Sequence, residues 1–98
     1  MQKCIECLMW GRNLNYDYLL WIYNHAINLE LKGVAFVKND GSIKVVAEGE
    51  EQNLLFFMRK LQTGKKRFFL LSPIENFSVS WHEAKNDFDD FSISESGE

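Results

Sequence analysis

Gly33-Val34-Ala35-Phe36-Val37-Lys38-Asn39-Asp40-Gly41-Ser42-Ile43-Lys44-Val45-Val46-Ala47-Glu48-Gly49 is the stretch that decides the fold. Asp-Gly between two β-branched and aromatic runs is a strong hairpin signal, because a tight turn needs residues at ease with positive φ. Val34 to Val37 is therefore predicted as one strand and Ile43 to Glu48 as its hairpin partner. On the N-terminal side, Tyr18, Ile22, Ala26 and Leu29 recur at the spacing of one helical face. That predicts a helix from about Asp17 to Leu31, capped by Asn15 or Asp17 and stopped by Gly33. Before it, Ile5, Cys7 and Met9 alternate with Cys4, Glu6, Leu8 and Trp10, so Lys3 to Trp10 reads as a strand ending at Gly11.

On the C-terminal side, Glu50-Glu51-Gln52 suits the positive end of a helix, and Leu54, Phe57, Met58 and Leu61 continue it at helical spacing to about Gly64. Phe68-Phe69-Leu70-Leu71, just ahead of Pro73, fits a strand, a wide loop or a helical extension alike. Phe77, Val79 and Trp81 alternate with Ser78, Ser80 and His82 as a further strand. Phe91 and Ile93 offer a short last strand across a turn around Ala84 to Asp87. Residues 1–93 are expected to form one domain, and 94–98 an unstructured acidic tail. Strand, helix, strand, strand, helix, strand closes most simply as one antiparallel sheet with two helices on one face and solvent on the other.

A chain of 98 residues feeds a single core, and 46% hydrophobic content is ample for one. The net charge of −3 and 26% charged residues argue against coating nucleic acid. No run of about 18 apolar residues and no cleavable leader pattern is present, so neither membrane nor export is expected and a cytoplasmic location is. Cys4 and Cys7 have metal-motif spacing, but nothing completes a ligand set, and on a strand residues three apart face opposite ways. They are read as structural thiols, with no metal and no cofactor. His25 and His82 have no serine, cysteine or carboxylate at a spacing that suggests a nucleophile and its base. The carboxylates around Glu48-Gly49-Glu50-Glu51 and at Asp87, Asp89 and Asp90 fit helix starts and terminal turns, and lack calcium-loop spacing.

Several of these pieces, in order, carry a resemblance. Gly11-Arg12-Asn13-Leu14-Asn15-Tyr16-Asp17-Tyr18-Leu19 resembles the glycine-rich loop G-R-V-Q-G-V-x-F-R of acylphosphatases, small enzymes that hydrolyse acyl phosphates. Trp21 to Ala26, Leu31-Lys32-Gly33, Asp40-Gly41-Ser42, Val45 to Gly49 and Phe91-Ser92-Ile93 also match what that family has in the same places. The resemblance implies an α+β, ferredoxin-like α/β sandwich (βαββαβ). It also implies a phosphate loop at Arg12, Asn13, Leu14, Asn15, Tyr16, Asp17 and Tyr18.

In the family an arginine closing the loop binds phosphate, and an asparagine on the second strand orients the attacking water. The resemblance puts Leu19 and Val37 at those positions. Leucine supplies neither charge nor hydrogen bond to a phosphoryl oxygen, and valine holds no water. The two loop glycines of the family align with Asn15 and Asp17. A carboxylate about 4 Å from a phosphate charge costs of order 1 kcal/mol in water and about 4 at a semi-buried site. Arg12 reads as a surface charge. Shifting Asn39 into the asparagine position would misplace the well-matched Asp40-Gly41-Ser42 turn, and a shift of one residue would invert every strand side chain. The expectation is an acylphosphatase-like domain without catalytic residues that acts by binding or self-association. The alternative is an acylphosphatase of weak or altered activity. Leu8, Trp10, Val34 and Phe36, expected on the face away from the helices, together with Phe68 and Phe69, are the candidate surface for a homodimer or a protein partner.

Overall fold

The computed structural model describes residues 1–12, 14–64 and 74–94. The elements run β1 (Gln2–Gly11), α1 (Tyr16–Asn28), β2 (Lys32–Val37), β3 (Ile43–Glu50), α2 (Glu51–Thr63), β4 (Ile74–Glu83) and β5 (Phe91–Ile93). They form one sheet in the order β4-β1-β3-β2-β5. β1 pairs antiparallel with both β3 and β4, and β2 pairs antiparallel with β3. Strands β1 and β2 thus run parallel with β3 between them, the split arrangement expected from the element order. One expectation is corrected: the sheet is mixed, because β5 pairs parallel with β2 through Gly33↔Phe91, Val34↔Ser92 and Ala35↔Ile93.

The alternation in β1 sends Ile5, Cys7 and Met9 to the helical side, where they are fully buried with Ile43, Val45 and Ala47 of β3. Ile22 and Ala26 of α1 and Leu54, Phe57 and Leu61 of α2 close the core over them. Phe91 fastens the short β5 to both helices, its ring lying 6.3 Å from Tyr23 and 6.2 Å from Phe57. The hairpin forms as expected: Lys38 N–H donates to the Ser42 carbonyl, and Gly41 turns at φ 89. Asp40 Oδ1 accepts from both the Ser42 amide (2.9 Å) and its hydroxyl (2.6 Å), and these bonds hold the Asp40 carboxyl below its usual pKa.

Two further expectations change. Helix α1 ends at Asn28, short of Leu31, and Gly33 does not stop it. Glu30 takes the left-handed conformation (φ 58), while Leu31 N–H reaches back to the Ala26 carbonyl. Nor is the face opposite the helices wholly solvated. The connection from β4 to β5 must travel from one edge of the sheet to the other, and Glu48, on that open face of β3, accepts hydrogen bonds from the amides of Lys85 (2.8 Å) and Asn86 (3.1 Å). Glu48 and its cross-strand neighbour Cys4 are buried beneath this crossing.

Candidate functional site

The loop after β1 folds by local chemistry. Asn15 is the N-cap of α1: its side-chain oxygen accepts from the Tyr18 amide (3.2 Å) and its carbonyl from the Leu19 amide (3.1 Å). Two amides of the first helical turn are therefore engaged within the chain. Asp17 is exposed in that turn, where a carboxylate favours the positive end of the helix. Tyr16 is 54% exposed, whereas Leu14, Tyr18 and Leu19 are buried in the core cluster. The Tyr18 ring packs against Trp21 with centroids 5.2 Å apart. Asn13 lies outside the described residues.

Leu19 and Val37 belong to the same apolar body: Leu19 is 3% exposed inside the core cluster, and Val37 packs on it partly buried. Arg12, the one cation in the Gly11 to Leu19 loop, turns to the start of β4, where its Nε donates to Glu75 at 3.2 Å. Both partners are largely exposed, so this pair contributes only about 0–1 kcal/mol.

The two thiols lie on opposite faces of β1, as their spacing predicts. Burial, then the Cys4 charge, pushes Cys7 up to about 12, and burial followed by the Glu48 charge also raises Cys4. Both stay protonated at neutral pH and are free. Among the described residues no three His, Cys, Asp or Glu side chains come together to hold a metal ion. The reading of His82 needs correction, for Ser80 Oγ lies 3.0 Å from its Nε2. Residues two apart on a strand share a face, the signal that would have found this pair. Both are exposed, and among the described residues no carboxylate hydrogen-bonds to His82.

Leu8, Trp10, Val34 and Phe36 do lie on the open face, with Trp10 exposed and the other three half-buried. The strand register interleaves them with charge: Lys44 stands between Leu8 and Phe36, and Glu6 lies two strands from Val34 across Val46. Phe68 and Phe69 fall outside the described residues.

The acylphosphatase family model matches residues 5–93. This chain belongs to the acylphosphatase family. An acylphosphatase from Caldanaerobacter subterraneus subsp. tengcongensis is 28% identical over 93 residues, covering 95% of this chain and 99% of its own. One from Thermus thermophilus is 33% identical over 79 residues, 81% and 85% of the two chains. The crystal structure of acylphosphatase from Bacillus subtilis superimposes with a TM-score of 0.81 at 22% identity, over 96% of this chain and 99% of that one. A 13% portion of full-length HypF matches 99% of this chain with the same TM-score at 23% identity. These structural likenesses show the shared ferredoxin-like fold, and the family membership rests on the sequence match. No helix among the described residues is long and apolar enough to cross a membrane.

Proposed function

We propose that this acylphosphatase-family member works by binding and does not hydrolyse acyl phosphates at the family's rate. The observation that carries this reading is the burial of Leu19, at the position of the family's phosphate-binding arginine, in the apolar core. Phosphoryl transfer depends almost wholly on positioning and charge stabilisation of the phosphoryl oxygens. Losing one preorganised donor typically costs about a hundredfold to a thousandfold. Here the arginine is replaced by Leu19 and the water-holding asparagine by Val37, and the Tyr18 and Leu19 amides already bond to Asn15. Asp17 adds a negative group beside the loop. The binding surface we assign is the open face around Trp10, Leu8, Val34 and Phe36. Its limited exposed apolar area suits weak, reversible association with a protein partner or a second copy.

A weak acylphosphatase is the second reading, favoured by Arg12, which keeps one cation on the loop. Turnover of benzoyl phosphate by the purified chain, measured beside a family enzyme, decides between them. The expected rate is at least about a hundredfold lower and unchanged by Arg12→Ala. Ordinary turnover, abolished by that substitution, would establish the second reading. Restoring the arginine by Leu19→Arg is a poorer test, because it drives a charge into the core.

A further inference from the structure

Trp21 and His25, one turn apart on α1, face Phe56, Arg59 and Lys60 of α2 across a groove of about 610 Å³ that reaches Gly64. That volume lies within the range of roughly 300–1,000 Å³ usual for small-molecule sites. Its walls are aromatic: Trp21 meets His25 edge-on with centroids 4.7 Å apart, and Phe56 leaves 53% of its surface exposed. Its charge is of one sign among the described residues, where no carboxylate lines it. The ion pairs among the described residues are Met1 with Glu50, Lys3 with Glu83 and Arg12 with Glu75, so neither Arg59 nor Lys60 has an acidic partner there.

The sequence reinforces this. Arg59 and Lys60 are neighbours in a stretch with no Asp or Glu from Gln52 to Gly64, in a chain of net charge −3. Cations near a helix C-terminus complement the backbone dipole, which accounts for Lys60 on structural grounds alone. The dipole does not account for exposed aromatic rings beside those cations. A planar ring gains from contact with aromatic faces, and a guanidinium next to an ammonium takes an anionic group.

We propose that the groove between α1 and α2 binds a small aromatic anion, its ring against Trp21 and Phe56 and its carboxylate, sulfonate or phosphate on Arg59 and Lys60. His25, held below its ordinary pKa by burial and by Lys60, is neutral at pH 7 and adds a ring N–H without a charge. No residue of the loop after β1 is among those lining the groove, although Tyr18 packs on Trp21, and the proposal does not rest on the outcome of the acyl phosphate assay.

The test is an NMR titration of the full chain with naphthalene-1-sulfonate. 1-Naphthol serves as the ring without charge, and inorganic sulfate as the charge without ring. Saturable shifts of the Trp21 indole N–H and the His25 ring are expected with the sulfonate, and at least tenfold weaker binding of each control. The exposed pair Arg59→Gln with Lys60→Gln is expected to weaken sulfonate binding at least tenfold, and Phe56→Ser to weaken it as well, with the amide spectra of both variants showing an intact fold. Absence of saturable shifts, equal affinity for 1-naphthol, or unchanged affinity in the double variant would each overturn the proposal.

Discussion

Gly33 shows how a single backbone atom can be decisive. At φ 147 in β2 it lies so close to β3 that a Cβ would stand 1.8 Å from the Val46 carbonyl oxygen. Gly41, at φ 89 in the hairpin, has nothing within 4 Å of the same added atom. Gly41 therefore isolates backbone strain, whereas Gly33 adds steric overlap to it. Gly41→Ala is expected to cost about 1–2 kcal/mol, from its conformation alone. Gly33→Ala is expected to cost more than about 3 kcal/mol, in the range reserved for buried disruption. Urea unfolding of the two variants checks this, and equal losses would contradict it. The sequence marks Gly33 as special without saying why. A glycine just past a helical pattern reads as its stop, yet the left-handed position fell to Glu30, which nothing in the local pattern distinguishes. Leu19, by contrast, was legible as a residue unfit for phosphate; that it is part of the core is a tertiary fact.

At the scale of elements, α1 was legible at its start and not at its end. Asn15 caps it as its residue type predicts, because the capping bond is local. The same helix carries a titrating group whose behaviour depends on its neighbour α2. His25 is held below the ordinary value of 6.5 by burial first and by the Lys60 charge second. Its folded pKa is depressed, so the stability it contributes is fully present above the unfolded pKa and is lost as pH falls through the folded one. An NMR titration is expected to place the His25 midpoint below 6.5. Lys60→Gln is expected to raise that midpoint only in part, because burial remains. A midpoint at or above the free value in the native chain would contradict the account. The parallel course of β5 was not legible, since three residues carry no directional signal. It follows from the crossing that precedes them, and that crossing is anchored by Glu48 to amides 37 and 38 residues away.

At the scale of the whole molecule, the hairpin, the alternation of β1 and the two amphipathic helices made the sandwich legible, because each signal lies within about one turn or one strand of sequence. What was hidden is the open face. Lys44 and Glu6 interrupt the apolar residues that alternation puts there, and the crossing that rests on Glu48 covers Cys4. Stable dimers bury about 800 Å² on each partner, more than Trp10 and three half-buried neighbours offer. Light scattering after size exclusion at about micromolar concentration is expected to give the mass of one chain, with association only on concentrating. A dimer that survives dilution would contradict this and require a larger surface. The loop between β1 and α1 is proposed not to hold an anion. The most direct test of this central claim is a titration of the 15N-labelled chain with inorganic phosphate. The account predicts no saturable movement of the Tyr18 and Leu19 amides, which Asn15 already holds. Saturable shifts of those two amides, as phosphate displaces their bonds to Asn15, would contradict it.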